Sequence, residues 1–533
     1  MRYLPHTLTV MFLALALTAS GQEQRNVRDF EYIRSATPWI SSRNAAGLGQ
    51  LPVGRIANVE ALFHKHDGGL VGIEKSENSF EAGAATEAFM KLSDKFAIHG
   101  RLEYRNFSGK DMGGPILMDP SFNPLNFYES VDTTAGVKNR ELYNLMGGFS
   151  YSFNPKWSIG AEIDYQAGDQ SKRKDPRFIN VWMDLGVSAG FRFAPTESFS
   201  IGLSAIYRRT LENFTGNKYG VKNYTHYILV DFGGFYGSRE IFEDKNGHVA
   251  VGDYRPMFNN FYGGSLQIAA GNKTKIFNEI TFLLRNGYFG KKSSSTVTFT
   301  EHNGSIIEYN GVLTVPASDA LHRIGLDVRY ESLDNNKNIY KLVTPEGSMT
   351  QVEYVGAPQN VLKRTDISGA LSYSGYTGIK EYRPLWEYGI KAEGWYRMQT
   401  TSIFPFIRNS SVAHADARIW GTRNILDQSR NMFTIGLEGL FSMGFGNPKE
   451  DTVLASTTSD PPRSMDLYLD RDFEYKTAMQ AGGCLRLRYT RFFGEKIAFY
   501  VEAKDCFTHL LKKPEFLTGS YRNILDTKIG ITF

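Results

Sequence analysis

Apolar and polar residues alternate along much of this chain, and the alternation continues up to the last residue. In residues 525–533 (LDTKIGITF), one side carries Leu525, Thr527, Ile529, Ile531 and Phe533, and the other carries Asp526, Lys528, Gly530 and Thr532. A period of two places successive side chains on opposite faces of a β-strand. The segment therefore predicts a strand with one apolar face and one polar face.

Internal segments show the same alternation, most clearly residues 96–107, 157–168, 181–194 and 433–445. Their charged residues fall almost entirely on one face. A charge at the middle of a bilayer costs roughly 2–4 kcal/mol, so this segregation indicates strands whose apolar face meets lipid. Beyond the N-terminal region, no apolar run approaches the roughly 18 residues that a membrane-spanning helix needs. The pattern favours an all-β, antiparallel transmembrane β-barrel with a polar lumen.

The connections between these segments alternate between short and long. Tight turns are predicted at residues 93–95, 154–156, 195–197, 271–273 and 494–495, where Gly, Asn, Asp and Pro are frequent. Long polar connections are predicted at residues 108–140, 210–260, 332–365 and 446–475. Short periplasmic turns and long extracellular loops are typical of outer-membrane barrels. We predict a barrel over residues 55–533 with about 16–18 strands; the lower number stays open because alternation is weak near Ile306 and Arg323.

The N-terminal region carries the marks of an export signal. Arg2 precedes an apolar run at residues 8–17, and small residues at Ala19 and Gly21 suit cleavage before Gln22. Residues 1–21 are therefore predicted to be a signal peptide. Residues 22–54 do not alternate, and we expect either a periplasmic segment or a plug inside the lumen. The expected location is the outer membrane of a Gram-negative bacterium.

Several segments carry a resemblance to known families. The strand ending at Phe533 resembles the closing strand of bacterial outer-membrane barrels, in which the terminal aromatic residue is the signal read by the barrel-assembly machinery. Residues 41–48 (SSRNAAGL) resemble the Asn-Pro-Ala-Gly/Ala-Leu element of the fatty-acid-transporter (FadL-like) barrels, whose N-terminal region folds into the lumen; here Ala45 stands in place of the Pro. Most of the mature chain, including residues 37–48 (TPWISSRNAAGL), is similar to a family of uncharacterised outer-membrane β-barrel proteins, which implies no assigned activity.

Charged residues of both signs are predicted to face the lumen. The candidates are Arg101, Glu103, Arg105, Glu162, Asp164, Asp184, Arg192, Arg285, Asp327, Arg329, Glu393, Arg397, Asp416, Arg418, Glu438, Arg486, Arg488 and Glu502. Similar numbers of the two signs indicate cross-strand ion pairs that brace the wall, and they do not form a ring of one sign that would select ions. Contact of these residues with a solute remains the alternative interpretation.

The two cysteines give a test of strand register. A hairpin centred on Glu495 places Cys484 opposite Cys506, Arg488 opposite Glu502, and Thr490 opposite Tyr500. Export to an oxidising compartment is compatible with a disulfide between these cysteines, and two neighbouring thiols are the other possibility.

No motif predicts catalysis. Residues 186–190 (GVSAG) match the G-x-S-x-G pattern, but they lie within an alternating segment and no helix follows them. We expect no catalytic, cofactor-binding or metal-binding residues, and no enzymatic activity. A net charge of +4 over 533 residues gives no reason to expect nucleic-acid binding.

Two functions remain: a channel or transporter for a small solute, and a surface receptor or accessory subunit of an uptake or secretion complex that acts through its long loops. The expected partners are outer-membrane lipid, the barrel-assembly machinery and other outer-membrane uptake proteins.

Overall fold

The computed structural model describes residues 29–129, 134–217, 219–220, 224–242, 247–249, 254–347, 349–427, 431–493 and 497–533. Within these ranges, eighteen antiparallel strands form one sheet, in which each strand pairs with the next barrel strand along the chain. The sheet closes because the first strand also pairs with the last. The predicted fold class is confirmed, and the strand number is 18. The signal peptide, the first residues of the 22–54 segment and the turn at 494–495 lie outside the described residues.

The barrel strands vary from 12 to 23 residues. They are β1 (Arg55–Asp67), β2 (Asn78–Ser93), β3 (Phe96–Met112), β5 (Gly136–Asn154), β6 (Trp157–Lys172), β7 (Arg177–Thr196), β8 (Phe199–Asn217), β11 (Met257–Ala270), β12 (Lys275–Gly290), β13 (Thr298–Pro316), β14 (Ala320–Lys337), β17 (Gln359–Thr377), β18 (Trp386–Ile403), β19 (Phe406–Asp427), β20 (Asn431–Val453), β22 (Gln480–Phe493), β23 (Ile497–Leu510) and β24 (Tyr521–Thr532). Six shorter strands lie outside the barrel wall: β4 (Asn126–Glu129), β9 (Tyr227–Asp231), β10 (Tyr236–Ile241), β15 (Tyr340–Val343), β16 (Gln351–Tyr354) and β21 (Arg463–Ser464).

The exterior of the barrel is apolar. Leu437 is 64% exposed and Ile529 is 53% exposed, although both are aliphatic. The intervening charged residues point inward, where Glu438 pairs with Lys504 at 2.7 Å and Lys528 pairs with Glu60 at 3.2 Å. Exposed aliphatic side chains outside and paired charges inside are the arrangement that a bilayer requires of a barrel. The protein is therefore an outer-membrane-type β-barrel.

Several strands are longer than their apolar pattern indicates. β20 continues to Val453, beyond the expected loop start near residue 446, and β17 begins at Gln359, before the expected loop end at residue 365. The weakly patterned residues Ile306 and Arg323 lie in β13 and β14. The pattern underestimates strand length because apolar and polar residues alternate only where a strand contacts lipid, whereas backbone hydrogen bonding between strands continues above the membrane. One tight connection, at residues 404–405, lies on the rim of the long loops.

The described part of the 22–54 segment lies inside the barrel; we call residues 29–54 the N-terminal insert. It contains helix α1 (Phe30–Ala36) and two 3-10 helices, Pro38–Ser41 and Ala45–Gln50. Three aromatic contacts fix it to the wall, with ring centroids 6.0 Å apart for Phe30 and Phe89, 5.1 Å for Tyr32 and Tyr376, and 5.3 Å for Trp39 and Phe277. These partners lie on β2, β17 and β12, so the insert crosses the lumen.

Loop residues form a folded structure at the opposite end; we call β4, β9, β10, β21 and helix α2 (Asp466–Thr477) the extracellular cap. The four strands make one sheet in the order β21–β10–β9–β4. Its apolar side chains, including the buried Phe127 and Val230, share a hydrophobic core with wall residues such as Phe178 and Phe289. Neither described helix is long and apolar enough to cross a membrane.

Candidate functional site

The N-terminal insert rests on a patch of wall glycines. A Cβ atom added to Gly160 would lie 2.3 Å from the backbone nitrogen of Ala46, and one added to Gly190 would lie 2.6 Å from Oδ1 of Asn44. Gly160 and Gly190 face each other across β6 and β7. The glycines thus admit the insert's backbone at van der Waals distance. This packing accounts for Gly190, the last residue of the GVSAG sequence, which lies within strand β7.

Asn44 is the central anchor of the insert and is 1% exposed. Its Nδ2 donates to the carbonyl oxygen of Phe191 and to Oε1 of Gln267, both at 2.9 Å. Its Oδ1 accepts from the backbone N–H of Ala46 at 3.1 Å. The Ala46 carbonyl in turn accepts from the hydroxyl groups of Ser150 and Ser158 on the wall, at 3.0 and 3.1 Å. The centre of the insert around Asn44 is therefore held by uncharged hydrogen bonds, and two ion pairs with the wall, Arg34 with Glu87 and Arg43 with Glu308, flank it.

A second segment enters the lumen from the cap side; we call residues 120–124 the loop tip. The Phe122 ring lies 4.2 Å from the guanidinium carbon of Arg285. The carbonyl oxygen of Phe122 accepts from Arg285 and from Arg364, both at 3.1 Å. The loop tip is thus held by arginines of the wall, in contrast to the insert.

Two cavities separate the insert from the loop tip and the cap. The periplasmic chamber, about 710 Å³, is lined by the insert and by strands β12–β14 and β17–β19. Its charged lining residues are Glu31, Arg34, Arg43, Glu279, Glu308, Arg323, Asp327, Arg329, Glu393, His414 and Asp416. The extracellular chamber, about 580 Å³, is lined by the loop tip, the cap and strands including β17–β20. A polar lining of both signs suits a hydrated or charged solute.

The two chambers share Trp395, His414 and Asp416 as lining residues. Nε2 of His414 lies 2.9 Å from a carboxylate oxygen of Asp416. Nδ1 of His414 donates to the carbonyl oxygen of Lys476 in helix α2 at 2.6 Å. We call these three residues the junction; they border both chambers, and His414 is bonded directly to the extracellular cap.

The structure places the predicted lumen charges on the inner face, mostly within ion pairs. Pairs or short networks join Arg101 and Arg105 with Glu103, Asp184 with Arg208, Arg285 and Arg329 with Glu331, Arg397 with Asp366, Arg418 with Glu393, Glu438 with Lys504, and Arg486 and Arg488 with Glu502. Glu162 lies 3.8 Å from His99, Asp164 accepts from Asn144, and Arg192 lies over the Trp39 ring. Asp327, Arg329, Glu393, Arg397 and Asp416 also line a chamber.

Sequence reasoning did not select several chamber residues. Arg364 lies in residues 332–365, which we interpreted from the sequence as a loop. In the structure it belongs to β17, two residues before Asp366, so both side chains lie on the inward face of the strand. Trp395 has inward parity on β18, and that parity was the available signal. For His414, the alternation along β19 does predict a lumen-facing side chain, and the residue lines both chambers. For Arg34 and Arg43 no pattern in the sequence indicates depth in the lumen, because the insert does not alternate.

The closing strands have the register derived from the cysteines. Cys484 pairs with Cys506, Arg488 with Glu502, and Thr490 with Tyr500. The two sulfur atoms form a disulfide with an S–S distance of 2.15 Å. Phe533 exchanges backbone hydrogen bonds with Ala57 of β1, at 2.8 and 3.0 Å, and so takes part in closing the barrel.

Residues 45–533, most of the chain, match the sequence profile of a family of unknown function, DUF6850. The chain belongs to the DUF6850 family. The resemblance to a family of uncharacterised barrels is thereby confirmed. A comparison with curated proteins gave no match.

Solved structures similar to this DUF6850 member are outer-membrane barrels. The ferric preacinetobactin receptor BauA from Acinetobacter baumannii has 8% identity and a TM-score of 0.37, with 89% of this chain and 79% of that chain covered. The toluene transporter TodX from Pseudomonas putida has 8% identity and a TM-score of 0.30, with coverages of 96% and 99%. The toluene transporter TbuX from Ralstonia pickettii has 9% identity and a TM-score of 0.29, with coverages of 92% and 91%. Similarity at this level concerns barrel architecture alone.

Proposed function

We propose that this protein is a gated channel or transporter for a small polar solute in the outer membrane of a Gram-negative bacterium. The observation that carries the proposal is the pair of lumenal chambers that meet at Trp395, His414 and Asp416. A barrel whose interior served only as a scaffold would be filled by packed side chains. In this proposal the protein performs no catalysis and its pathway is the lumen.

Gating is required because the insert lies between the periplasmic chamber and the near rim. Its anchor at Asn44 consists of neutral hydrogen bonds, each of which contributes only about 1 kcal/mol net. The barrel wall, in contrast, is a continuous ladder of backbone hydrogen bonds. The insert is therefore the element that moves while the wall stays intact.

The test is conductance across planar bilayers with the insert locked or removed. A Cβ atom on Gly49 would lie 3.6 Å from the hydroxyl oxygen of Ser152 on β5, so Gly49→Cys with Ser152→Cys places two thiols within reach of a disulfide. We expect channel steps from the protein lacking residues 22–54, no steps from the oxidised double variant, and recovery of the unmodified behaviour after mild reduction.

The matched control is Ser152→Cys alone, which should respond to neither oxidant nor reductant. Folding of each variant is checked by its resistance to denaturation in detergent. Silence of the protein lacking residues 22–54 in both a chloride and a citrate electrolyte, in a barrel that is demonstrably folded, would rule out the channel.

The alternative is a surface receptor or accessory subunit. It is favoured by apolar side chains exposed near the cap, where Phe404 is 70% exposed and Leu454 is 61% exposed on connections above the wall. Solvent-exposed apolar surface of this kind is typical of protein contacts. A silent barrel that co-purifies from native membranes with another outer-membrane uptake protein, and loses it on Phe404→Ser, would support this alternative.

In either function, we propose that the strand ending at Phe533 is the segment read by the barrel-assembly machinery.

A further inference from the structure

The loop tip presents three consecutive carbonyl groups to arginines of the wall. The five hydrogen bonds run from Arg364 to Ser121 and Asn123 at 3.2 Å each, from Arg364 and Arg285 to Phe122 at 3.1 Å each, and from Arg397 to Ser121 at 3.1 Å. We call Arg285, Arg364 and Arg397 the arginine layer. Its members lie on three different strands, β12, β17 and β18, so the barrel wall and not the loop fixes their positions.

The arginine layer has fewer carboxylates than guanidinium groups. Arg364 and Arg397 share one carboxylate, that of Asp366. Arg285 shares Glu331 with Arg329. The side chains of Arg285 and Arg364 are 0% and 4% exposed, so water compensates little of this positive charge. The other hydrogen bonds of these arginines go to the carbonyl groups of the loop tip and to Asn259, which are neutral.

A neutral carbonyl is a weaker partner for a buried guanidinium than an anion is. Carboxylate and phosphate accept two parallel hydrogen bonds from the planar guanidinium and carry the opposite charge, whereas a single carbonyl oxygen does neither. An anion placed at the tip carbonyl positions would also restore charge balance in a site shielded from water. The loop tip thus occupies positions that an anionic group fits better.

We infer that the arginine layer binds a carboxylate or phosphate group of the transported solute, which displaces the loop tip. This deepens the proposed function and rests on it. Arg364 and Arg397 line the extracellular chamber together with Ser121 and Asn123, so a solute in this chamber meets the arginines beside the tip. The same chamber leads to His414 and Asp416 at the junction.

Hydrogen bonds within the segment would keep the loop tip folded when it leaves the arginine layer. Oδ1 of Asp119 accepts from the backbone N–H of Phe122 at 3.2 Å, and the carbonyl oxygen of Asp119 accepts from Asn123 at 3.0 Å. These internal bonds persist when the tip detaches. Besides the bonds to its carbonyl groups, the tip would lose the contacts of the Phe122 ring with Arg285, with Arg208 and with the buried apolar cluster that contains Phe261.

The experiment uses citrate as the probe, with inorganic phosphate in parallel, on the full-length protein in detergent. Calorimetry measures affinity, and deuterium exchange measures protection of residues 119–125. We expect binding, faster exchange of the tip on binding, and a dissociation constant raised roughly tenfold to a hundredfold by Arg397→Gln, because a charge-assisted hydrogen bond is lost. Lys504→Gln removes a lumen cation elsewhere, on β23, and should leave the affinity unchanged.

A second variant distinguishes an effect on the anion site from misfolding of the protein. Phe122→Ala weakens the competing loop tip without altering an arginine, so citrate should bind more tightly, a gain that a damaged fold does not produce. No binding, equal affinity in Arg397→Gln, or binding without a change in tip exchange would each overturn the inference. Citrate binding without conductance in the protein lacking residues 22–54 would refute the channel and leave the anion site, and conductance of that protein without citrate or phosphate binding would refute the anion site and leave the channel.

Discussion

Asn44 provides the sharpest test of how the insert is held. It is 1% exposed and makes three hydrogen bonds, two to the wall and one to the amide of Ala46 within the insert. Replacement by Ala leaves the Ala46 N–H and Oε1 of Gln267 without this partner. Each buried polar group left unsatisfied costs about 1–3 kcal/mol; with about 1–2 kcal/mol, the lower part of this range, for each of the two groups, the closed insert should lose roughly 2–4 kcal/mol.

The substitution Asn44→Asp distinguishes two roles of this residue, which are to cap a helix and to fix the insert to the wall. If Asn44 only caps the 3-10 helix Ala45–Gln50, Asp should replace it well, since Asn and Asp are similar at such positions. If Asn44 clamps the insert to the wall, Asp should be at least as harmful as Ala. The carboxylate would then face the carbonyl oxygen of Phe191 and Oε1 of Gln267, which is held in its orientation because its Nε2 donates to Ser265 and Glu279.

Deuterium exchange of residues 44–50 in the folded barrel measures the effect. When exchange follows local opening, its rate reports the opening equilibrium. A loss of roughly 2–4 kcal/mol corresponds to an increase on the order of 30-fold to 1,000-fold in exchange, at about tenfold per 1.4 kcal/mol. Exchange should stay unchanged in the β22–β23 hairpin. Wild-type protection in Asn44→Asp would refute the clamp.

Three further predictions follow from single sites. Gly160→Ala should displace the insert at a cost of roughly 1–3 kcal/mol, because the added Cβ would lie 2.3 Å from the Ala46 nitrogen. Gly147→Ala is the control, because its Cβ would have no atom within 4 Å, and it should leave the insert in place. The rate of thiol labelling at Gly49→Cys measures displacement of the insert in both variants. Burial raises the pKa of the Asp231 carboxyl to about 6 despite hydrogen bonds from the amides of Gly233 and Tyr236. Because this folded pKa exceeds the ordinary value of about 3.9, the stability linked to it is complete below about pH 4 and is lost as the pH rises through about 6. After correction for the intrinsic, base-catalysed exchange rate, protection of the Gly233 amide should thus be greater at pH 5 than at pH 7.5, and Asp231→Asn should abolish this difference in protection. Cys484→Ser with Cys506→Ser should lower the free energy of unfolding by about 3 kcal/mol without changing strand register, as measured by denaturant titration; an unchanged midpoint would contradict a disulfide in the native protein.

The sequence was sufficient for the barrel wall because lipid imposes a period of two. The inward and outward faces of β20 follow directly from Phe433, Leu437 and Glu438, and the register of β22 and β23 follows from one pair of cysteines. The same signal was absent where strands leave the bilayer, because backbone pairing continues there without any need for apolar side chains. Arg364 was missed for this reason, since it lies in the part of β17 that the pattern assigned to a loop.

The contents of the lumen were beyond such reasoning. The depth of Asn44 depends on glycines at positions 160, 190 and 202, which come from three different strands and carry no local signal. The loop tip depends likewise on arginines from β12, β17 and β18. Both are products of tertiary packing, in which residues far apart in sequence meet only after the barrel has closed.

The two ends of the lumen are closed by contacts of different chemistry, and this difference restricts how one solute acts on them. An anion competes with the carbonyl groups of the loop tip for guanidinium donors. It has no comparable advantage at the insert, where Arg34 and Arg43 already pair with wall carboxylates and Asn44 bonds to neutral amide groups. A ligand shifts a conformational equilibrium only by its difference in affinity for the two states. Binding in the arginine layer therefore releases the extracellular side and leaves the insert in place. Opening of the periplasmic side needs a separate free-energy source acting on residues 29–54, such as a contact made from the periplasm.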